Sequence, residues 1–387
     1  MKKLAVIFES SPFDRKGLFN AVHNRVKHLL ATGECSVDVF CVHSRDNAFT
    51  RRVRHTPVVQ PVGEVSVEGI NYRLLWYRFS ILDNVLLEKL HVRPLLFRSF
   101  MELHVSQLKG YDAVLAHSFC GGLFALAAHQ RFGIPYYVTW HGSDVHTHPW
   151  RVPVILEDTR TVMESANCNF YVSKALLTAS DKITEKARKM VLYNGVSEDF
   201  MRFSQEQREA VRQRYGLLPG DKVVAFVGNL SAVKNVLVLP ELFAEVSGRY
   251  VGPVKFWVVG DGKLRVSLEA GMVKNNVTAT FYGNLPHEDM PSIMNCVDVL
   301  VLPSLNEGLP LVCAEAMRCG ANVVGADVGG IAEVVGAENV VPHGDGFVEG
   351  LASRVVEMLS SDVSQVVPAE IDWSRTASIE QDIILGS

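Results

Sequence analysis

The chain has 387 residues, of which 48% are hydrophobic, and its formal net charge is −4. This length predicts two domains, at roughly 100–200 residues each, and the negative charge argues against general nucleic-acid binding. The charge is uneven: residues 1–110 contain 16 Lys and Arg against 10 Asp and Glu, a net of +6, whereas the rest contains 22 against 32, a net of −10. The basic part suits an anionic membrane or a phosphorylated acceptor, and ordinary surface variation is the alternative.

The seven cysteines are dispersed, and no two of them have the C-x-x-C spacing. An odd, dispersed set is typical of a reduced, cytosolic protein. The first apolar run, residues 4–8, is too short for a signal sequence, and no run approaches the ~20 residues that a transmembrane helix needs. We therefore expect a cytoplasmic protein, with any membrane contact peripheral and at the inner face of the cell membrane.

In chain order, the first half alternates short apolar runs with helical patterns. Residues 17–31 form a predicted helix, with apolar side chains at Leu18, Val22 and Val26. The alternation predicts a parallel sheet with helices on both faces. The predicted strands of this half are residues 4–8, 36–42, 113–116, 136–139, 169–172 and 190–192.

The segment 72–108 mixes aromatic and leucine side chains with arginines, as in Trp76-Tyr77-Arg78 and Phe97-Arg98. This composition suits contact with a lipid interface or a lipid phosphate. A strand and helices that pack on the N-terminal sheet would have a similar composition, and we favour that interpretation for most of the segment.

The second half repeats the plan, and its predicted strands are residues 223–227, 255–259, 278–282, 297–302 and 322–324. The boundary falls shortly after the Asn194-Gly195 turn. The predicted fold is α/β, with two doubly wound Rossmann-like domains that face a cleft: residues 1–198, and residues 199–371. Ligands of open α/β sheets bind beyond the carboxyl ends of strands, and each motif below follows a predicted strand.

A motif near the C-terminus, P-S-L-N-E-G-L-P-L-V-C-A-E-A, places Glu307 and Glu315 eight positions apart. Pro310 suits the first position of a helix. A buried strand, a turn and a helix with free N–H groups form an anion site. Two carboxylates at this spacing suit hydroxyl groups near a phosphate better than a metal, which points to a sugar nucleotide.

This motif resembles the donor-binding signature of the retaining glycosyltransferases of family four, the glycosyl transferases group 1, which have the GT-B fold. The resemblance continues in further segments that occur in the family's order from about residue 111 onward. They are His141-Gly142-Ser143-Asp144, Ser173-Lys174, Asn194-Gly195-Val196, Gly228 to Asn235, Gly260-Asp261-Gly262, and Gly329-Gly330-Ile331-Ala332-Glu333. It implies an acceptor-side N-terminal domain, a nucleotide-sugar-binding C-terminal domain, and a final amphipathic helix, about residues 372–387, that crosses back onto the N-terminal domain.

The sequence contains no Asp-x-Asp, the motif with which the other large glycosyltransferase architecture holds a metal. The charge of a diphosphate leaving group must then be balanced by side chains and helix N-termini. Lys234, expected at the opening of a helix, is the candidate cation. The family usually has an arginine five positions earlier, where this chain has Asn229, and Arg265 is a candidate replacement.

The resemblance also implies roles for the remaining site residues. Glu315 is expected to accept hydrogen bonds from the ribose diol, and Glu307 from hydroxyls of the donor sugar. His141 is expected to touch the transferred sugar. The catalytic candidates are therefore Lys234, Glu307 and His141, and the donor-binding candidates are Glu315, Gly308, Leu309, Pro310, Leu311, Asn229, Gly260, Gly262 and Gly17.

We therefore expect metal-independent, retaining transfer of a sugar from a nucleotide-diphosphate sugar, UDP in preference to GDP, to a glycan or lipid-linked acceptor in polysaccharide biosynthesis. We expect no cofactor, no metal and no nucleic-acid partner. His146 and His148 lack a convincing third metal ligand, and Gly260-Asp261-Gly262 is not a dinucleotide fingerprint. The alternatives are a sugar-nucleotide epimerase on a similar fold and a non-catalytic partner subunit.

Overall fold

The computed structural model describes residues 1–10, 12–13, 17–46, 62–79, 81–93, 95–361 and 364–386. The chain divides into two compact units, Met1–Asn194 with Trp373–Ser387, and Gly195–Asp372. The first division lies four residues before the expected boundary at 198/199, directly at the Asn194-Gly195 turn. The second lies one residue after the expected boundary at 371/372.

The N-terminal unit contains an eight-stranded sheet in the order β3-β4-β2-β1-β5-β6-β7-β8. All neighbouring strands are parallel except β3 and β4, which form an antiparallel hairpin. The strands are β1 Lys2–Glu9, β2 Cys35–Asp46, β3 Glu64–Val67, β4 Ile70–Phe79, β5 Ala113–His117, β6 Tyr136–Trp140, β7 Cys168–Tyr171 and β8 Lys189–Val191.

The helices of this unit connect the parallel strands, as the alternating pattern predicted. Helix α1 covers the same residues as the predicted helix 17–31. The helices are α1 Gly17–Ala31, α2 Ile81–Leu90, α3 Leu95–His104, α4 Ser118–Phe132, α5 Ser143–His146, α6 Pro153–Ser165 and α7 Lys174–Ser180.

Strand β3 was not predicted from the sequence. It joins β4 through Glu68 and Gly69, which have φ angles of 49° and 81°. Positive φ at both central residues is the geometry of the tight turns that connect antiparallel strands. The Glu-Gly pair was therefore the signal for this hairpin, although glutamate is an unusual residue at such a position.

The segment 72–108 forms β4, α2 and α3, and its aromatic side chains pack inside the unit. The ring of Tyr77 lies 5.3 Å from Phe97 and 5.5 Å from Phe100, and Phe100 lies 5.8 Å from Phe124 of α4. The packing interpretation is therefore correct for these rings. Arg78 and Pro94 lie outside the residues whose side chains are described.

The C-terminal unit contains a six-stranded parallel sheet in the order β11-β10-β9-β12-β13-β14. Renumbered within the unit, this is the 3-2-1-4-5-6 order of doubly wound nucleotide-binding sheets. The strands are β9 Lys222–Val227, β10 Val254–Val259, β11 Ala279–Gly283, β12 Val299–Leu302, β13 Asn322–Ala326 and β14 Val340–Val341. The predicted fold class, α/β with two doubly wound Rossmann-like domains, is confirmed.

The helices of the C-terminal unit again alternate with its strands, and β9 and β12, which lie at the centre of its sheet, are almost fully buried. The helices are α8 Gln205–Arg214, α9 Leu239–Arg249, α10 Arg265–Lys274, α11 Met290–Cys296, α12 Leu311–Arg318, α13 Ile331–Val335 and α14 Phe347–Ser360.

The last helix, α15 Trp373–Leu385, belongs to the N-terminal unit and packs on α1. A buried ion pair joins the two helices, with Arg25 Nε 2.8 Å from Glu380 Oε2 and each side chain 1% exposed. Lys2 Nζ also donates to the carbonyl of Ile384 at 2.8 Å. Because a lone buried charge is costly, Arg25 and Glu380 each require the other. In the described part of the chain, no helix combines the length and the apolar character needed to cross a bilayer.

Candidate active site

The C-terminal sheet has its switch point between β9 and β12, where the strand order reverses. Loops that follow the two strands on either side of such a point diverge and leave a crevice for a ligand. The loop after β9 carries Asn229 and Lys234, and the loop after β12 carries Glu307. A backbone bond ties the two loops together, since Leu305 N donates to Val233 O at 2.8 Å.

Lys234 and Glu307 are brought into direct contact by these loops. Lys234 Nζ lies 2.5 Å from Glu307 Oε1, and Ser304 Oγ donates to the same oxygen at 2.7 Å. The two ionic side chains are 23% and 11% exposed, so the pair is largely withdrawn from solvent yet reachable. Ser304, which is fully buried, was not identified as a site residue from the sequence.

The expected position of Lys234 at the opening of an α-helix is wrong. Lys234 ends a short 3-10 turn, Ala232–Lys234, and Asn235 then takes a left-handed φ of 52°. A second 3-10 turn, Val236–Val238, precedes α9. Because of this interruption, the lysine points to the neighbouring loop instead of continuing a helix.

Glu315 lies in the second turn of α12, beside the fully buried Cys313, Ala314 and Ala316. Its carboxylate has no hydrogen bond or ion pair with any residue that the structure describes. Burial raises the pKa of Glu315 to about 7. Glu315 is half-buried. A carboxylate partly removed from water and without a donor is costly, and it offers two acceptor oxygens to hydroxyl groups that reach it.

The start of α12 differs by one residue from the prediction. The helix begins at Leu311, and Pro310 is its N-cap residue, with φ −79° and ψ 89°. Proline has no side chain that could cap the helix. Within the described ranges, the N–H groups of Gly308, Leu309 and Leu311 find no acceptor, so they are available to an anion.

The turn at Gly329-Gly330 packs directly on the Glu307 loop. Gly329 has φ +53°, and a Cβ added there would lie 1.9 Å from the carbonyl oxygen of Glu307. Gly330 N donates to Gly308 O at 3.1 Å. Only glycine allows so close an approach of two backbones, so this turn fixes the loop that carries Glu307.

Gly260 and Gly262 pack on the turn that carries Asn229. A Cβ on Gly260 would lie 2.0 Å from the carbonyl oxygen of Gly228, and one on Gly262 would lie 2.4 Å from that of Leu230. The two glycines therefore have a packing role, and their contact with a donor stays a prediction. The side chain of Asn229 is exposed at the edge of this turn.

Arg265, the candidate replacement for a missing arginine, is already engaged. Its Nε lies 2.7 Å from Glu269 Oε1, and its guanidinium lies 5.1 Å from the centre of the Phe281 ring. To balance a diphosphate, this side chain would have to leave both partners.

In the N-terminal unit, a second histidine, His117, ends β5, and His141 directly follows the neighbouring parallel strand β6. His117 Nδ1 lies 3.1 Å from His141 Nε2. The turn after His141 is held by Asp144, which accepts hydrogen bonds from the N–H groups of His141 and Gly142 at 3.1 and 2.7 Å. Burial lowers the pKa of His141 to about 3, and the charge of Arg25 adds to the effect.

Gly17 is the first residue of α1, and a Cβ added there would meet no atom of the described residues within 4 Å. Its backbone therefore does not require glycine, and a role in ligand approach stays a prediction. Among the described residues, no group of three or more His, Cys, Asp and Glu side chains is placed to hold a metal. His146 and His148 are accordingly not part of such a group.

Two family models match the chain, a glycosyl transferase 4-like domain over residues 17–195 and glycosyl transferases group 1 over residues 221–361. The chain belongs to the group 1 glycosyltransferases. The second match contains the whole Lys234–Glu307 site, and the first contains both Gly17 and His141.

Two curated relatives of this glycosyltransferase carry different functional assignments. TuaC of Bacillus subtilis, assigned as a glycosyltransferase to teichuronic acid biosynthesis, is 25% identical over 282 residues, which cover 69% of this chain and 68% of TuaC. The 2-deoxystreptamine glucosyltransferase of Streptomyces kanamyceticus is 30% identical over 239 residues. That alignment covers 56% of this chain and 60% of the relative, less than two thirds of its length.

Solved structures show the same fold along the whole chain. Sucrose-phosphate synthase from Thermosynechococcus elongatus aligns with a TM-score of 0.72 and 17% identity, covering 100% of this chain and 94% of its own. Anabaena HepE, solved with UDP and glucose, aligns with a TM-score of 0.67 and 18% identity, covering 100% and 97%. At these identities the likeness establishes the GT-B fold of this glycosyltransferase.

Proposed function

We propose that this glycosyltransferase moves a sugar from a nucleotide-diphosphate sugar to a hydroxyl group of a glycan or lipid-linked acceptor in polysaccharide biosynthesis, without a metal and with retained anomeric configuration. The observation that carries the proposal is the Lys234–Glu307 pair at the switch point of the C-terminal sheet. The retained configuration rests on the resemblance to family four.

The proposed chemistry at Lys234 is stabilisation of the leaving group. As the bond between sugar and diphosphate breaks, negative charge develops on the diphosphate, and a fixed cation at that place lowers the barrier. Lys234 Nζ lies 2.5 Å from Glu307 Oε1. The ammonium group has three N–H donors, so it can keep Glu307 in position and still donate to a phosphate oxygen. The free N–H groups that begin α12 add partial positive charge for the distal phosphate.

The two glutamates would hold different parts of the donor. Glu307, joined to Lys234, lies next to the proposed diphosphate position and would accept hydrogen bonds from the donor sugar. Glu315 lies deeper in α12 and would accept both hydroxyl protons of the ribose. A diol supplies the two donors that its unpartnered carboxylate lacks.

We propose UDP and not GDP as the nucleotide because UDP-sugars are the more frequent donors of such enzymes. The structural neighbour HepE has been solved with UDP and with UDP-glucose, which agrees with that choice. The relative TuaC is assigned to teichuronic acid biosynthesis, which supports a polysaccharide acceptor. The matched relatives are named as transferases, so we do not favour an epimerase or a non-catalytic subunit.

The N-terminal unit is proposed as the acceptor side, with peripheral contact to the inner face of the cell membrane. Residues 1–110, which carry the net charge of +6, belong to this unit. Leu95, Leu96 and Leu103 of α3 are 60%, 51% and 72% exposed and could enter a lipid interface. All seven cysteines are free and buried, which suits a reducing compartment such as the cytoplasm.

Metal independence predicts that a chelator leaves the reaction unchanged. With EDTA in excess, the rate of UDP release from the preferred UDP-sugar should equal the rate without EDTA, because Lys234 and the α12 N–H groups supply the positive charge. The rate is followed by a coupled assay for UDP whose own enzymes are checked in EDTA. An enzyme that EDTA inactivates and Mn²⁺ or Mg²⁺ restores would contradict the prediction.

The assignment of Glu315 to the ribose predicts a specific pH dependence of UDP binding. The ionised carboxylate accepts both hydroxyl protons, whereas the protonated group does so poorly, so affinity should rise as pH increases through the pKa of about 7. Between pH 6 and pH 8, the ionised fraction of such a group, and hence its contribution to the association constant, should grow about tenfold. Calorimetric titration of UDP at several pH values measures this.

Glu315→Gln is the matched variant for this measurement, because UDP itself gains charge near pH 6. The ratio of the wild-type to the variant association constant removes the contribution of the nucleotide. We expect the ratio to increase with pH, and the variant to bind UDP more weakly than wild type at pH 8. A variant that binds UDP as well as wild type at pH 8 would show that the ribose lies elsewhere.

A further inference from the structure

His117 is a buried histidine that neither the sequence motifs nor the proposed reaction use. It is 1% exposed and ends β5, beside β6, which leads into His141. In the described structure, the His141 ring forms one hydrogen bond, which joins His141 Nε2 to His117 Nδ1 at 3.1 Å. The two ring centres are 5.3 Å apart.

Groups around the two histidines are themselves fixed. Phe8 of β1 lies edge-on against His117, with ring centres 6.5 Å apart. Arg25 of α1 donates from Nη1 to Thr139 Oγ1 at 2.9 Å, two residues before His141, and from Nε to Glu380 of α15 at 2.8 Å. The strand end that carries His141 is thus held by α1 and, through Glu380, by the last helix.

Both imidazoles are uncharged near neutral pH. Burial lowers the pKa of His117 as well as that of His141, and in both cases the charge of Arg25 acts in the same direction. In a neutral pair one nitrogen donates and the other accepts, so the bond couples the two tautomers: the donating ring carries its proton on the shared nitrogen, and the accepting ring carries its proton on its other nitrogen. Because Nε2 of His141 is used by His117, the nitrogen left for a substrate is Nδ1.

We propose that His117 is a positioning residue, which holds the ring of His141 in one orientation and one tautomer so that Nδ1 faces the transferred sugar. The inference rests on the proposed function and on the contact between His141 and that sugar that the family resemblance implies. A ring held in this way does not have to reorient when the donor binds, so the site is preorganised for the reaction.

The direct test is nuclear magnetic resonance of the full chain with ¹⁵N-labelled histidine at pH 7, where two-bond ¹H–¹⁵N correlations report the tautomer of each ring. His141→Gln assigns the signals. We expect one neutral tautomer for His141 in wild type and in His117→Asn, whose amide can stand at the place of Nδ1. In His117→Leu, which has similar bulk but no hydrogen bond, the nitrogen shifts should move towards those of averaged tautomers. Averaged shifts in wild type, or unchanged shifts in His117→Leu, would overturn the proposal.

Turnover provides the second readout, as UDP release from UDP-glucose or UDP-N-acetylglucosamine. His117→Leu should lower kcat about tenfold with little change in the affinity for UDP, and His117→Asn should restore most of the loss. In a His141→Ala background, His117→Leu should have no further effect. Equal losses in the Asn and Leu variants, or a full additional loss in that background, would count against positioning. If wild type uses neither donor, the proposed donor is wrong, and the spectra still decide the role of His117. If the Leu variant fails to fold, the spectra of wild type and of His117→Asn decide it.

Discussion

Replacing Lys234 with alanine is expected to lower the turnover number about 100- to 1000-fold, the effect of removing one preorganised group worth about 2.7–4 kcal/mol in the transition state. The reason is the loss of positive charge where the diphosphate develops negative charge. Glu307 keeps its hydrogen bond from Ser304 in the variant, at 2.7 Å, so the loop should stay in place. Steady-state rates of UDP release measure the loss of turnover, and thermal unfolding measures whether the structure is retained.

Lys274→Ala is the matched control for this variant. Lys274 ends α10 and is exposed, so its removal takes the same charge from the same unit without touching the switch point. The control should retain wild-type turnover. A Lys234→Ala enzyme with activity within twofold of wild type would remove Lys234 from the reaction.

Glu307→Gln is expected to lower turnover roughly 10- to 100-fold, because a hydrogen bond to a charged group is worth about 1.5–3 kcal/mol. The donor sugar changes shape as its bond breaks, so a contact to its hydroxyls affects kcat and not binding alone. The same change frees Lys234 from its partner at 2.5 Å. The affinity for free UDP should therefore stay the same or increase, since the cation becomes fully available to the diphosphate.

Kinetic constants for the UDP-sugar and a calorimetric titration of free UDP separate these two effects. Glu288→Gln, at an exposed position of the same unit, should leave both unchanged. If Glu307→Gln loses its affinity for UDP while Glu315→Gln keeps it, the two glutamates have the opposite roles to those proposed.

The sequence predicted most of the regular structure because buried strands are short apolar runs that differ sharply from their surroundings. Residues 223–227, 255–259 and 297–302 all lie within or largely overlap the observed strands β9, β10 and β12. Helix α1 was predicted over its full range because its apolar side chains recur with helical spacing. Each of these patterns is local, so these elements could be predicted without knowledge of contacts between distant residues.

The geometry of the site depends on contacts between distant residues, which a single sequence does not display. Lys234 and Glu307 are 73 positions apart, and the bond between Leu305 and Val233 brings their loops together. Local sequence favoured a helix at Lys234, yet Asn235 breaks it with its left-handed φ of 52°. A regular helix start is therefore absent at Lys234, and its side chain forms the ion pair with Glu307.

His117 was missed for a similar reason. Its significance lies in its hydrogen bond with His141, which is 24 positions away and directly follows the neighbouring strand. One signal was present: His117 and His141 each come directly after, or at the end of, a buried strand of the same sheet. Two histidines at the carboxyl ends of consecutive parallel strands will lie side by side if those strands pair, and strand pairing is the step that pattern alone does not supply.

A crystal structure of the full chain with UDP tests the central claim most directly, namely that the switch point of the C-terminal sheet binds the nucleotide diphosphate. We predict the ribose hydroxyls at about 2.6–3.2 Å from the Glu315 carboxylate, the usual range for hydrogen bonds. The diphosphate should lie against Lys234 Nζ and the N–H groups of Leu309 and Leu311. UDP bound away from these residues, with Glu315 still lacking a donor, would contradict the account.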